Sequence, residues 1–145
     1  MTLDVDLPEP NVPVGNYTMA VRTGNLLFLS GHGAFNDGRP VHTGRLGETM
    51  TTEQGACAAE AVMLNLLATI RAELGDLSRL ARLVKVVVFV NSTPDFTEQH
   101  LVANGATDLL ARIFGSAARP ARSAIGVASL PLGFAVEIEA VAQIA

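Results

Sequence analysis

The sequence of 145 residues lacks tryptophan and contains one tyrosine, one cysteine and one lysine. A single cysteine, Cys57, excludes a disulfide bond within the chain and favours a reducing compartment. The N-terminus carries acidic residues and prolines where a secretion signal would have a basic and then an apolar segment. We therefore expect a cytoplasmic protein.

Charged residues are also scarce, at 17% of the chain, and the formal net charge is −4. The ten basic residues are scattered singly, so no run resembles the footprint that binds phosphate backbones. Uninterrupted apolar stretches fall short of the roughly 18 residues that span a membrane. The histidines and the cysteine lack the spacing of a metal-ligand set. Composition thus predicts no nucleic-acid partner, no membrane and no metal.

Hydrophobic residues are abundant, at 49%, and a chain of this length predicts one domain over residues 1–145. Apolar and polar residues alternate around Thr23-Gly24-Asn25, which predicts a hairpin near the start of the domain. Asn36-Asp37-Gly38 predicts a turn before a short strand near residues 39–42. The chain therefore opens with β-structure.

The middle of the chain carries helix signals at both ends of a long apolar stripe. Thr51 and Gln54 match a capping box, and Gly75 lies where a helix ends. "LVKVVVFVN", residues 83–91, follows as a central strand that favours burial on both faces. Residues 97–114 predict a second helix.

Two more strands are predicted at residues 121–129 and 135–144, and we expect them to form a hairpin. The order β-β-(β)-α-β-α-β-β predicts an α/β (α+β) fold in which two helices pack on one face of a mixed sheet. Association of subunits would cover the other face.

The last strand carries two carboxylates, and its period of two places Glu137 and Glu139 on the same side. Strand carboxylates are usually exposed, which is the simplest interpretation of Glu137. Arg122 could pair with a glutamate, or it could hold a substrate carboxylate bidentately while Glu139 handles a water or a proton. The sequence does not fix the register between the two strands. It therefore does not decide whether Arg122 pairs with a glutamate or binds a substrate.

Three segments carry a family resemblance: "YTMAVRTGNLLFLSGHG", "VKVVVFVNSTPDF" and "RPARSAIGVASLPLGFAVEIEA". From about Gly15 to Ala142 the chain resembles the Rid family of reactive intermediate deaminases, also called the YjgF family and described as endoribonuclease L-PSP. The resemblance implies a chorismate-mutase-like fold and a homotrimer with sites in clefts between subunits. It also implies hydrolysis of 2-imino acids or enamines, such as 2-aminoacrylate, to 2-keto acids and ammonia without a cofactor.

The same resemblance implies roles for individual residues. Arg122 matches the arginine that holds the substrate carboxylate, and Glu139 matches the glutamate that positions the attacking water. Tyr17 and Ser30 match residues that line the cleft, and Gly31 beside them offers backbone contacts. We therefore expect Arg122 and Glu139 to reach the same small carboxylate ligand, and Glu137 to be structural or exposed.

The chain also departs from the family pattern. Asn104 matches a cleft asparagine, although its spacing to Arg122 differs by one residue. Ala124 stands where many relatives have cysteine, and Asn16 stands where proline is common. His32 replaces a glutamine and is expected either to contact the ligand or to face solvent. These departures indicate a less characterised branch, and they leave another substrate open.

Two further functions stay open beside imine hydrolysis. An endoribonuclease has little support, because the net charge is −4 and base stacking would depend on one tyrosine and six phenylalanines. A non-catalytic trimer that binds small carboxylates would use the same arginine clamp.

Overall fold

The computed structural model describes residues 5–145 and contains seven strands and two α-helices. In chain order these are β1 (Ala20–Thr23), β2 (Leu26–His32), β3 (Phe35–Asn36), β4 (Arg39–Pro40), α1 (Thr52–Leu74), β5 (Leu80–Asn91), α2 (Gln99–Phe114), β6 (Ala121–Val127) and β7 (Val136–Ile144). Short 3₁₀ turns span Leu77–Arg79, Ser116–Ala118 and Pro131–Gly133. The element order matches the predicted one, except that a second short strand, β3, precedes the short strand predicted near residues 39–42.

Five strands form a mixed sheet in the order β1-β2-β7-β5-β6, and β3 pairs with β4 in a separate ribbon. β5 runs parallel to β6, whereas the other neighbours in the sheet run antiparallel. The predicted hairpin between the last two strands is therefore wrong, because β5 lies between β6 and β7. A parallel pair needs a long crossover, and α2 provides it between β5 and β6.

The predicted helix signals are confirmed at both ends of α1. The Gln54 N–H donates to Thr51 Oγ1 at 3.2 Å, and the Thr51 N–H donates to Gln54 Oε1 at 2.9 Å. Gly75, at φ 86°, ends the helix and donates its N–H to the Arg71 carbonyl. α1 is long and apolar enough to span a membrane, but 61% of its most apolar stretch is buried within the fold. That burial is typical of a core helix.

Both helices pack on one face of the sheet, as predicted, and the core lies between these layers. Alternate residues of β5 and β7 point into it and are at most 5% exposed: Val86, Val88, Val90, Ile138, Ala140 and Ala142. The opposite face presents Val21, Phe28 and Ile125 at 54%, 46% and 44% exposure. One apolar sheet face is thus uncovered in a single chain.

Gly105 of α2 lies directly against the backbone of α1. A Cβ atom at this position would overlap the backbone carbonyl of Ala56 in α1. Backbone atoms cannot rotate away as side chains do, so only glycine allows this distance. The contact holds α2 in place above β6.

Replacing Gly105 by alanine is expected to lower the free energy of unfolding by about 1–3 kcal/mol through overpacking. Alanine is ordinarily favoured over glycine inside a helix by about 1 kcal/mol. A decrease in the free energy of unfolding would therefore indicate the close contact between the helices. Urea unfolding would measure it. Gly55→Ala in α1 is the matched control, because the nearest atoms that its Cβ would meet belong to the side chains of Leu46 and Val102 and not to the backbone. A Gly105→Ala protein as stable as the Gly55→Ala protein would contradict the contact.

Candidate functional site

Arg122 lies on β6 and faces the helices, since it is in register with the fully buried Val86 of β5. Its Nη1 donates to Asn104 Oδ1 at 2.9 Å and to Thr107 Oγ1 at 3.1 Å. Its Nη2 donates to the His100 carbonyl at 3.4 Å. The structure thus brings Asn104 to Arg122 despite the altered spacing.

Arg122 is half-buried and makes no ion pair with any of residues 5–145. The salt bridge within these residues joins Arg112 to Glu60. The alternative that Arg122 pairs with a glutamate of its own chain is therefore wrong. Its three hydrogen bonds use three of the five N–H donors of a guanidinium and leave the charge uncompensated. The side chain can still bind an anion.

Glu137 of β7 lies against Gly31 of β2, where the register of the two strands shifts. A Cβ at Gly31 would lie 2.7 Å from Glu137 Oε1, so glycine lets the carboxylate rest against the backbone. Glu137, Gly31 and Tyr17 line one cavity of about 200 Å³, together with Phe35 and Leu132. The structure therefore gathers two of the predicted cleft residues, Tyr17 and Gly31, around the Glu137 carboxylate.

Burial raises the pKa of the Glu137 carboxyl, and the charge of nearby Glu139 raises this pKa further. Glu139 itself is exposed and points to the open face, in register with Val87. The sequence predicts that Glu139 reaches the ligand and that Glu137 is structural or exposed; in the single chain Glu137 is half-buried and Glu139 is exposed. Within one chain, Glu137 contacts the cavity that Tyr17 and Gly31 line.

Ser30 connects the segment that carries Tyr17 to β2. Its hydroxyl donates to the Thr18 carbonyl at 2.7 Å, and its N–H donates to the Met19 carbonyl at 2.9 Å. Tyr17 is 47% exposed, and its hydroxyl accepts a long hydrogen bond from the Val14 N–H. Ser30 thus fixes the backbone beside the cavity, and the Tyr17 ring remains accessible.

His32 is completely buried on the helix side of β2. Its Nδ1 lies 2.6 Å from the Ser30 carbonyl oxygen, and its Nε2 lies 2.8 Å from Thr69 Oγ1. A carbonyl can only accept, so Nδ1 carries the proton and Nε2 accepts from the threonine hydroxyl. Both expectations for His32, ligand contact and solvent exposure, are wrong. Burial lowers the pKa of its imidazole.

The candidate residues form two groups. The carboxylate cluster comprises Tyr17, Ser30, Gly31 and Glu137, and the arginine cluster comprises Asn104, Thr107 and Arg122. The strands that carry Glu137 and Arg122, β7 and β6, lie two strand spacings apart, roughly 10 Å. Arg122 shares the helix-covered face with Val86, whereas Glu137 and Glu139 face the opposite side. A single chain therefore does not bring the two clusters together.

Sequence reasoning missed Thr107, although a signal existed. Thr107 lies three residues after Asn104, so both side chains fall on one face of α2. Once an asparagine on this helix is assigned to the arginine, helical spacing selects the threonine beside it.

Comparison with known proteins finds relatives that cover nearly the whole chain. The family model described as endoribonuclease L-PSP matches residues 9–144. Protein TCP17 of Trypanosoma cruzi is 46% identical over 143 residues, which cover 98% of this chain and 89% of that protein. A 2-iminobutanoate/2-iminopropanoate deaminase of Dermatophagoides farinae is 31% identical over 140 residues, which cover 97% of this chain and 94% of that protein. A crystal structure of a protein with unknown function from Agrobacterium tumefaciens has a TM-score of 0.91 at 41% identity, covering 99% and 88%.

The buried His32 is expected to make stability depend on pH. Its pKa in the folded state lies below the ordinary 6.5, so the unfolded chain binds the proton first as the pH falls. The free energy of unfolding should therefore decrease below pH 6.5, by at most about 1.4 kcal/mol per pH unit from this group. Urea unfolding of wild type and His32→Asn over this range would show a smaller decrease in the variant. His42→Asn, at an exposed histidine, should keep the wild-type decrease, and equal slopes in all three proteins would contradict the assignment.

Proposed function

The chain belongs to the endoribonuclease L-PSP family, also called the Rid or YjgF family, and we propose that it hydrolyses 2-imino acids and their enamine forms to 2-keto acids and ammonia. The observation that carries the proposal is the uncompensated guanidinium of Arg122, which only neutral oxygens orient. A relative named for this reaction is 31% identical over nearly the whole chain.

Arg122 would bind the carboxylate of the imino acid bidentately, because its planar fork matches the two carboxylate oxygens. Asn104 and Thr107 both accept from Nη1 and so restrict the rotation of the guanidinium. This restriction lowers the ordering cost of ligand binding. The carboxylate clamp then places the C=N carbon at a fixed distance from the arginine.

Glu137 is the proposed base, in the role that the family motif suggested for Glu139. Its carboxylate takes a proton from a water whose oxygen adds to the C=N carbon, and the proton passes to the nitrogen. The new hydroxyl then gives up its proton to the nitrogen, again through Glu137, as the C–N bond breaks, so that ammonia leaves and the 2-keto acid forms. Burial brings the pKa of Glu137 closer to neutral pH, and a general base exchanges protons most efficiently when its pKa is near the pH of the reaction. Glu139 would act indirectly, through its charge.

The two clusters can act on one substrate if the arginine cluster of one copy meets the carboxylate cluster of another. We place this site between the subunits of a homotrimer, as the family resemblance implies. The uncovered face with Val21, Phe28 and Ile125 supports association, since an exposed apolar sheet face is a common interface. The exposed and unpaired Cys57 suits the proposed cytoplasmic location.

The first test generates an imino acid with an amino-acid oxidase and follows its decay with and without the protein. Wild type should accelerate the decay of the imino acid. Arg122→Ala should reduce this acceleration at least about a hundredfold, because the substrate is no longer oriented. Glu137→Gln should lose about a hundredfold or more through loss of the base. Arg119→Ala, at an exposed arginine nearby, should retain wild-type activity.

Glu139→Gln separates the two glutamates. It should remain active, and the acid limb of its pH profile should move to lower pH, because the Glu139 charge helps to raise the pKa of Glu137. Loss of activity in Glu139→Gln with full activity in Glu137→Gln would return the catalytic role to Glu139. Full activity in Arg122→Ala would contradict the clamp itself.

A mixing experiment tests whether two copies share the site. Arg122→Ala and Glu137→Gln proteins should each be inactive, yet unfolding and refolding them together should restore activity. Random assembly of a cyclic oligomer leaves about one interface in four with both residues intact. Arg122→Ala mixed with the double variant Arg122→Ala/Glu137→Gln is the control and should stay inactive. No recovery in the first mixture would place the site within one chain.

The same variants, tested for ligand binding and for RNA cleavage, distinguish the alternative functions. Saturable binding of 2-oxobutanoate by wild type but not by Arg122→Ala, without turnover of any imino acid, would favour a carboxylate-binding trimer. RNA cleavage that disappears in Arg122→Ala after extensive purification would favour the endoribonuclease of the family description.

A further inference from the structure

A second cavity, of about 330 Å³, lies where β5 ends and α2 begins, and Arg45 is its one charged residue. Its other polar lining residues are Ser92, Thr93 and Gln99. We propose that this cavity binds a small monocarboxylate, independently of Arg122. None of its lining residues belongs to the arginine cluster or the carboxylate cluster.

The guanidinium of Arg45 lacks a partner in the described part of the chain. Its Nε is buried and makes no hydrogen bond to residues 5–145, and no carboxylate lies within salt-bridge distance. A buried donor without an acceptor costs about 1–3 kcal/mol, and arginine cannot discharge its side chain to avoid that cost. An anion that binds the terminal guanidinium nitrogens from the cavity would balance this charge.

The backbone around Arg45 is fixed before any ligand binds. The Arg45 carbonyl accepts from the Thr49 and Met50 N–H groups at 2.9 and 3.1 Å. Leu46, which is fully buried, donates to the Asn91 carbonyl at 2.8 Å and accepts from the Thr93 N–H at 3.0 Å. These bonds attach the loop to the end of β5. The backbone that carries the Arg45 side chain is thus rigid, which lowers the cost of ordering this side chain on binding.

Glycine keeps the opposite wall of the cavity open. A Cβ at Gly126 of β6 would lie 2.7 Å from Ser92 Oγ and 2.8 Å from Gln99 Nε2, so any larger residue would displace these two polar groups. Gln99 is the first residue of α2, whose N-terminus carries partial positive charge and has no side-chain cap. The nearby Glu98 carboxylate instead accepts from the Thr52 hydroxyl at 2.6 Å.

The chemistry of the lining favours a monocarboxylate with a short apolar group. A single planar guanidinium matches the two oxygens of a carboxylate. Pro94, Phe96 and Val127 supply the apolar part of the wall. Propanoate combines both features and is the probe for the test.

The test observes the Nε–H signals of ¹⁵N-arginine-labelled protein by NMR while propanoate is added. The Arg45 signal, identified by its absence in Arg45→Lys, should shift saturably, and inorganic phosphate should shift it less. Gly126→Ala should weaken the response, and Arg122→Ala should leave it unchanged. The last result separates this site from the proposed active site, since it requires no catalytic turnover.

Three outcomes would overturn the proposal. The Arg45 signal of wild type could stay unmoved by propanoate, it could respond more strongly to phosphate, or its response could vanish in Arg122→Ala. The wild-type titration decides the first two without any variant beyond the one used for assignment. Thermal unfolding of wild type and Arg45→Lys with propanoate gives a second reading, in which stabilisation should be smaller in the variant.

Discussion

The position of β5 between β7 and β6 determines what one chain can do chemically. β5 contributes no candidate site residue, yet it separates the strand that carries Glu137 from the strand that carries Arg122. Its pairing also sets their faces, because Val86 is in register with Arg122 and Phe89 is in register with Glu137. Successive positions of a strand alternate between faces, so this register directs the two charged side chains to opposite sides of the sheet.

Local signals predicted the elements well, and long-range pairing was where prediction failed. Thr51, Gln54 and Gly75 delimit α1 because caps depend on contacts within a few residues. The hairpin predicted for β6 and β7 failed because adjacency in sequence does not decide which strands pair. The valine-rich β5 lies inside the sheet with a hydrogen-bonded neighbour on each side, and α2 returns the chain for a parallel partner. No local pattern in residues 121–144 shows that β5, and not β6, pairs with β7.

The site residues show the same division. Period two correctly placed Glu137 and Glu139 on one side of β7, but it could not distinguish their surroundings. The difference arises from β2, where the register shift brings Gly31 against Glu137 and leaves Glu139 in solvent. His32 was misjudged for a related reason. The same irregular segment turns its imidazole inward to Thr69, a contact with α1 that sequence spacing cannot reveal.

Separating Arg122 from Glu137 within the chain has an electrostatic consequence. Opposite charges side by side in one cleft would form an ion pair, which would hold the pKa of Glu137 down and occupy the donors of Arg122. The fold instead gives Arg122 neutral partners and gives Glu137 a desolvated position beside Glu139, which raises its pKa. Within one chain, Arg122 therefore keeps free donors and Glu137 keeps a raised pKa, which are the two features that the proposed imine hydrolysis would use. In the proposed site between two copies, the ligand carboxylate would occupy the Arg122 guanidinium and so keep it from pairing with Glu137 of the other copy.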